Sequence, residues 1–89
     1  MTFAERLPSG LLAGWMTSPD PIVATVMATQ SFDCVAIDMQ HSNVDLEAAT
    51  AMIPLIKGFG KPLLFRLPLD AFSVGAQLLD HGADGLIAQ

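Results

Sequence analysis

"FDCVAIDMQHSNVDLEAA", Phe32 to Ala49, changes character twice. Cys34-Val35-Ala36-Ile37 is an unbroken apolar run, the pattern of a strand buried on both faces. Asp38, Gln40 and His41 follow with almost no spacer, and Asn43 and Asp45 then stand where a helix cap and an acidic first turn belong. Leu46, Ala49, Met52, Ile53 and Ile56 keep helical spacing, and Lys57-Gly58 closes the element. Pro54 predicts a kink or an earlier end. The stretch therefore reads as one strand–loop–helix unit whose loop holds an acid, an amide and an imidazole.

The same unit recurs on either side. Upstream, "LLAGW" (Leu11 to Trp15) is a short strand; Asp20 and Pro21 supply a cap and a first-turn proline, and Ile22, Val23, Val26 and Met27 form a helical stripe. Downstream, "PLLFR" is a third strand, Asp70 caps a third helix through Leu78 and Leu79, and Gly82 provides a left-handed helix end. "GLIA", Gly85 to Ala88, is a fourth strand. Apolar strands alternating with helices predict an α/β fold with a parallel sheet.

Two architectures compete, an open doubly wound sheet and a closed (β/α)₈ barrel. Strand ends at Trp15, Asp38 and Arg66 recur near the roughly 30 residues per unit of a barrel of about 250 residues. No GxGxxG turn follows the first strand, where "GWMTSPDP" stands, which weighs against a dinucleotide-binding half. The expectation is a single partial domain over residues 1–89, about three and a half βα units of a (β/α)₈ TIM barrel.

Composition narrows the function. Of 89 residues, 52% are apolar and 15% charged, greasy for a domain so small and consistent with a piece of something larger. The net charge of −5 is spread along the chain, so neither nucleic acid nor an anionic membrane is an expected partner. Cys34 has no second cysteine to pair with and reads as a buried strand residue, compatible with a reducing cytoplasm. The N-terminus lacks the basic-then-apolar order of a secretory signal, and no apolar run approaches the roughly 18 residues of a membrane span.

In parallel α/β folds ligands bind at the carboxyl ends of the strands. Trp15, Asp38, Gln40, His41 and Arg66 all collect there, lining one mouth. Lys57 and Lys61 fall at the opposite end, so this stretch offers no Schiff-base lysine.

"FDCVAIDMQHSNVDLEAA", "GKPLLFRLP" and "QLLDHGADGLIA", in that order and at those separations, resemble the HpcH/HpaI aldolase family. The resemblance runs from about Gly14 onward and matches the N-terminal portion of these metal-dependent TIM-barrel enzymes. It implies a carbon–carbon lyase that cleaves a 4-hydroxy-2-oxo acid to pyruvate and an aldehyde, as a property of the complete barrel, with the 89-residue chain inactive alone. Small-molecule 2-oxo acids and aldehydes are the implied partners, with a homo-oligomer, a hexamer, in the cytoplasm.

Residue by residue, the resemblance makes Arg66 the cation that holds the enolate oxygen, against the plainer reading of a salt bridge to Asp38 or Asp70. His41 becomes the acid–base histidine and Asp80 its orienting partner; from the residues alone Asp80 reads as a solvated helix-end charge. Trp15 borders the aldehyde pocket or simply packs. Asp38 and Gln40 support the site from behind, Gln40 standing where many relatives carry a glutamate. A divalent ion (Mg²⁺, Mn²⁺ or Co²⁺) is implied, with ligands expected beyond Gln89 and none within this segment. The alternative is a free-standing small α/β module that binds a partner through its sheet edges.

Overall fold

A computed structural model of the chain describes residues 3–6 and 10–88. A short helix α1 (Phe3–Arg6) precedes the alternation β1 (Ala13–Met16), α2 (Pro21–Thr29), β2 (Cys34–Asp38), α3 (Leu46–Lys57), β3 (Leu63–Arg66), α4 (Phe72–Asp80) and β4 (Gly85–Ile87). The strands pair in parallel, in chain order β1-β2-β3-β4. Right-handed crossovers between strands laid down in sequence put the connecting helices α2, α3 and α4 on the same face, since the winding never reverses. That is the wall of a singly wound barrel, not the doubly wound sheet.

Burial follows this one-sided cover. Along β1 the alternation is Ala13 exposed, Gly14 buried, Trp15 exposed, Met16 buried; along β3, Leu63 and Phe65 are fully buried while Leu64 and Arg66 are half-buried. The helix-facing set, Met16, Val35, Ile37, Leu63 and Phe65, packs on Ala24, Ala28, Ala49, Met52, Ile53, Ile56 and Leu78. Each large side chain removed from water there contributes about 1.5–3 kcal/mol. The open face carries Trp15, Asp38 and Arg66.

Helix α2 starts as expected, with Asp20 Oδ1 accepting the Ile22 amide at 2.8 Å and Pro21 in the first turn. Its inward face differs from the expected stripe. Ala24 and Ala28 are buried, whereas Ile22 and Val26 point outward. Close approach explains this: a Cβ on Gly14 would lie 2.4 Å from a ring carbon of Phe32 and 2.9 Å from the Met27 methyl, so only small residues fit between helix and sheet.

Helix α3 is capped by Asp45, whose carboxylate accepts the Ala48 amide at 2.8 Å, while Asn43 stays in the loop. The helix runs through Pro54 to Lys57 instead of ending early. Asp70 does not cap α4. It adopts φ +57°, the left-handed region that aspartate tolerates better than most residues, and Ala71 holds the cap position with no side-chain bond. Gly82, at φ +113°, does turn the chain after α4. Among the described residues no helix is long and apolar enough to cross a membrane.

At the amino ends of the strands, polar groups are tied off. Asp84 Oδ2 accepts both Lys57 Nζ at 2.6 Å and the Leu63 amide at 2.8 Å. Lys61 Nζ donates to the Gln30 and Phe32 carbonyls at 2.8 and 2.6 Å, and Asp33 Oδ2 accepts the Leu12 amide at 2.7 Å. Both lysines are thus bound at the end away from the polar cluster.

Candidate active site

The site grows out of the last residue of β2. Asp38 is the one buried charged side chain among the described residues, and its carboxylate organises everything near it. Oδ1 accepts two loop amides, Gln40 at 2.8 Å and His41 at 2.9 Å, so the chain folds tightly back over the strand end. The Ser42 hydroxyl donates to the Asp38 carbonyl and accepts the Val44 amide at 3.1 Å, completing the turn toward α3. Oδ2 faces two side chains: the Trp15 indole N–H at 3.3 Å and His41 Nδ1 at 3.7 Å.

Burial alone would push the Asp38 carboxyl up. The hydrogen bonds from the His41 and Gln40 amides and the Trp15 indole, with the nearby imidazole charge, outweigh it and hold the carboxyl below its ordinary value. Asp38 is therefore an anion at neutral pH. It anchors a histidine whose side chain remains 62% exposed, open to any molecule at the mouth. Trp15, 46% exposed, stands beside it on the adjacent strand.

Arg66 ends β3 in register with Asp38, and its carbonyl accepts the Met39 amide at 2.9 Å. Its guanidinium pairs with neither Asp38 nor Asp70, so the plain reading of a loop-fixing salt bridge is not realised in this chain. The Nε atom is buried and has no hydrogen-bond partner. A cationic donor withdrawn from water without an acceptor is costly, and its natural complement is an anionic oxygen.

Trp15, Asp38, Gln40, His41 and Arg66 are thus brought to one end of the sheet. Asp80 is not. It closes α4, is exposed, and lies at the amino-end side of the strands, next to His81 and Gly82, which border a shallow hollow with Thr50, Ile53, Pro54 and Lys57. No described contact joins it to His41. The indole–carboxylate bond and the Ser42 bracket were not anticipated from the sequence; only the strand register places Trp15 diagonally beside Asp38. Among the described residues no group of three or more His, Cys, Asp or Glu is arranged to hold a metal ion.

No protein-family model matches the chain. It is 34% identical over 88 residues to a hydroxypyruvate/pyruvate aldolase of Roseovarius nubinhibens, covering 97% of this chain and 34% of that protein. Among solved structures it superposes on the citrate synthase SbnG with a TM-score of 0.84 at 25% identity, over 98% of this chain and 36% of that one. An HpcH/HpaI aldolase/citrate lyase family protein from Burkholderia cenocepacia J2315 gives a TM-score of 0.78 at 26% identity, over 92% and 34%. The chain spans about a third of the length of the relatives it matches. Its structural neighbours of the aldolase family are TIM barrels, in agreement with the singly wound sheet.

Proposed function

Because the chain is a fragment-sized relative of the HpcH/HpaI aldolases, we propose that it forms part of a carbon–carbon lyase that joins or splits a pyruvate-type enolate and an aldehyde. The observation that carries this reading is the buried, unpartnered Nε of Arg66 at the carboxyl end of the sheet, beside an exposed histidine held by an anionic aspartate. The names of the curated relatives suggest pyruvate or hydroxypyruvate as the enolate donor.

In the cleavage direction the 4-hydroxyl of a 4-hydroxy-2-oxo acid gives up its proton, the C3–C4 bond breaks, and its electron pair moves to the 2-oxo oxygen as an enolate. His41 is the group suited to take that proton, since imidazole titrates near neutrality. Arg66 supplies a permanent planar cation for the oxygen on which charge develops. Trp15 forms the wall on the aldehyde side, and Asp38, with Gln40 in the same turn, fixes the loop that presents His41. Asp80, at the other end of the sheet, could orient His41 only from a second copy of the chain, within the homo-oligomer that the resemblance implies.

A divalent ion, Mg²⁺, Mn²⁺ or Co²⁺, belongs to this reading, but the described residues do not make a site for one. The full-length protein is proposed to act in the cytoplasm on small molecules, and the 89-residue chain alone to be inactive.

The test is Arg66→Lys in a full-length protein carrying these residues. The charge is kept and the planar fork lost, so both aldol cleavage and exchange of the pyruvate methyl protons into deuterated water should fall by roughly 10²–10³-fold, as for loss of an oxyanion donor. Wild-type rates for both reactions in Arg66→Lys would overturn the assignment.

A further inference from the structure

Trp15 does more at this site than border a pocket. Asp38 has spent Oδ1 on two backbone amides, at 2.8 and 2.9 Å. Only Oδ2 remains for side chains, and two donors face it: the Trp15 indole N–H at 3.3 Å and His41 Nδ1 at 3.7 Å. The indole contact is a long hydrogen bond and the imidazole contact lies just outside hydrogen-bond range. Oδ2 can accept two donors as Oδ1 does, but each donor weakens it as an acceptor for the other, and here the indole holds the closer position.

We propose that Trp15 is a positioning residue that governs His41 through Asp38, its indole N–H competing with the imidazole for one carboxylate oxygen. When a molecule at the mouth turns the indole away, Oδ2 is released. His41 then needs to move by under 1 Å, from 3.7 Å to ordinary bonding distance, to be gripped by the anion. Seating of a substrate against the tryptophan is thereby linked to the orientation and basicity of the acid–base residue. The link to catalysis rests on the reading proposed above; the competition itself does not.

The other charged groups at this end of the sheet are Asp20 ahead of α2, Asp45 and Glu47 at the head of α3, Arg66 on β3 and Asp70 in the loop after it. Asp20 and Asp45 are committed to the Ile22 and Ala48 amides, and Glu47 lies in the first turn of α3. Arg66 forms no ion pair with Asp38. None of these contacts involves the indole nitrogen, whose one hydrogen bond among the described residues goes to Asp38.

Trp15→Phe keeps an aromatic ring and deletes only the donor. With Oδ2 released, the anion favours the imidazolium more strongly, so the pH profile of His41 reactivity should move upward in Trp15→Phe relative to wild type. The readout is the rate of His41 acylation by diethyl pyrocarbonate between pH 5 and 8, resolved by peptide mass spectrometry on the intact protein. The rise should vanish in an Asp38→Asn background, where no anion is left to compete for. An unchanged or lowered midpoint, or a rise that persists without the Asp38 charge, would overturn the proposal.

A second measurement needs no variant. In wild-type protein labelled at tryptophan nitrogen, the Trp15 indole N–H resonance should titrate with the His41 midpoint, because protonation of the imidazole draws Oδ2 away from the indole. A resonance that stays flat through that midpoint counts equally against the competition. Neither readout requires turnover, so a protein that proves not to be an aldolase still tests this coupling, and an active aldolase lacking it would refute the coupling alone.

Discussion

The two ends of the sheet use the same chemical vocabulary to opposite effect. At the amino ends, Asp84 and Lys57 pair at 2.6 Å, Asp84 also accepts the Leu63 amide, and Lys61 spans two carbonyls. At the carboxyl ends, Asp38 is hydrogen-bonded by two backbone amides and an indole and pairs with no lysine or arginine, while Arg66 one strand away keeps a buried Nε without an acceptor. Nothing prevents an Asp38–Arg66 pair in principle, since the two residues are in register. Tying a carboxylate to a lysine and an amide makes a clamp between strands; tying it to amides and an indole leaves a separate cation and an exposed imidazole available for chemistry. The division agrees with the general rule that barrel bottoms serve stability and barrel tops serve function.

The sharpest way to break the contrast is at His41. His41→Ala in a full-length protein carrying these residues should lower aldol turnover by roughly 10²–10⁴-fold, the usual effect of losing an acid–base group. Its side chain is 62% exposed, so the melting temperature should stay within experimental scatter. Pyruvate methyl exchange should suffer less than cleavage, because His41 is assigned to the aldol hydroxyl and not to the enolate. Equal wild-type rates in cleavage would return His41 to a structural role and erase the distinction between the ends.

The opposite end should give the mirror result. Asp84→Asn removes the Lys57 pair and weakens the bond to Leu63, groups that are about one-third exposed. The partly exposed ion pair and the amide bond together suggest a loss of about 1 kcal/mol, read as a lower urea midpoint with kcat unchanged. A drop in kcat without a drop in stability would show that the clamp reaches the chemistry.

Much of this layout is legible in the sequence. Capping aspartates at Asp20 and Asp45 and the apolar runs of β2 and β3 announce the βα units because their causes are local. The outward turn of Ile22 and Val26 was not legible, since it depends on how closely α2 approaches Gly14 and Phe32, a long-range fact. Asp70 departs from the cap its sequence suggests for a different reason. An aspartate before a helix serves equally as a cap or as a left-handed turn, and the same short side chain suits both.

The site divides in the same way. Trp15, Asp38, His41 and Arg66 converge because each follows or ends a parallel strand. Asp80 ends a helix that returns antiparallel to the strands, so the topology by itself assigns it to the far end; only the family resemblance drew it toward His41. The sharing of Asp38 Oδ2 could not be read from sequence at all, since it arises from the register that sets Trp15 opposite Ala36.

The smallest expected effect concerns Asp38 itself and separates a charge that supports structure from one that is merely tolerated. Its carboxyl is held below the ordinary value of 3.8 in the folded protein. A group whose folded value is depressed stabilises the native state above its unfolded value, and loses that contribution as pH falls through the folded one. In a His41→Ala background, which removes the imidazole coupled to Asp38, Asp38→Asn should therefore be less stable than its Asp38 counterpart at neutral pH, with a gap that stays constant down to about pH 5 and narrows below it. All other acids titrate alike in both proteins and cancel in the difference. Urea unfolding of the two proteins in parallel from pH 7 to pH 2 measures the gap directly. A gap that is constant over the whole range would mean that the Asp38 hydrogen bonds stabilise the fold by shape and not by charge, in which case the carboxyl-end aspartate is no different in kind from a neutral cap.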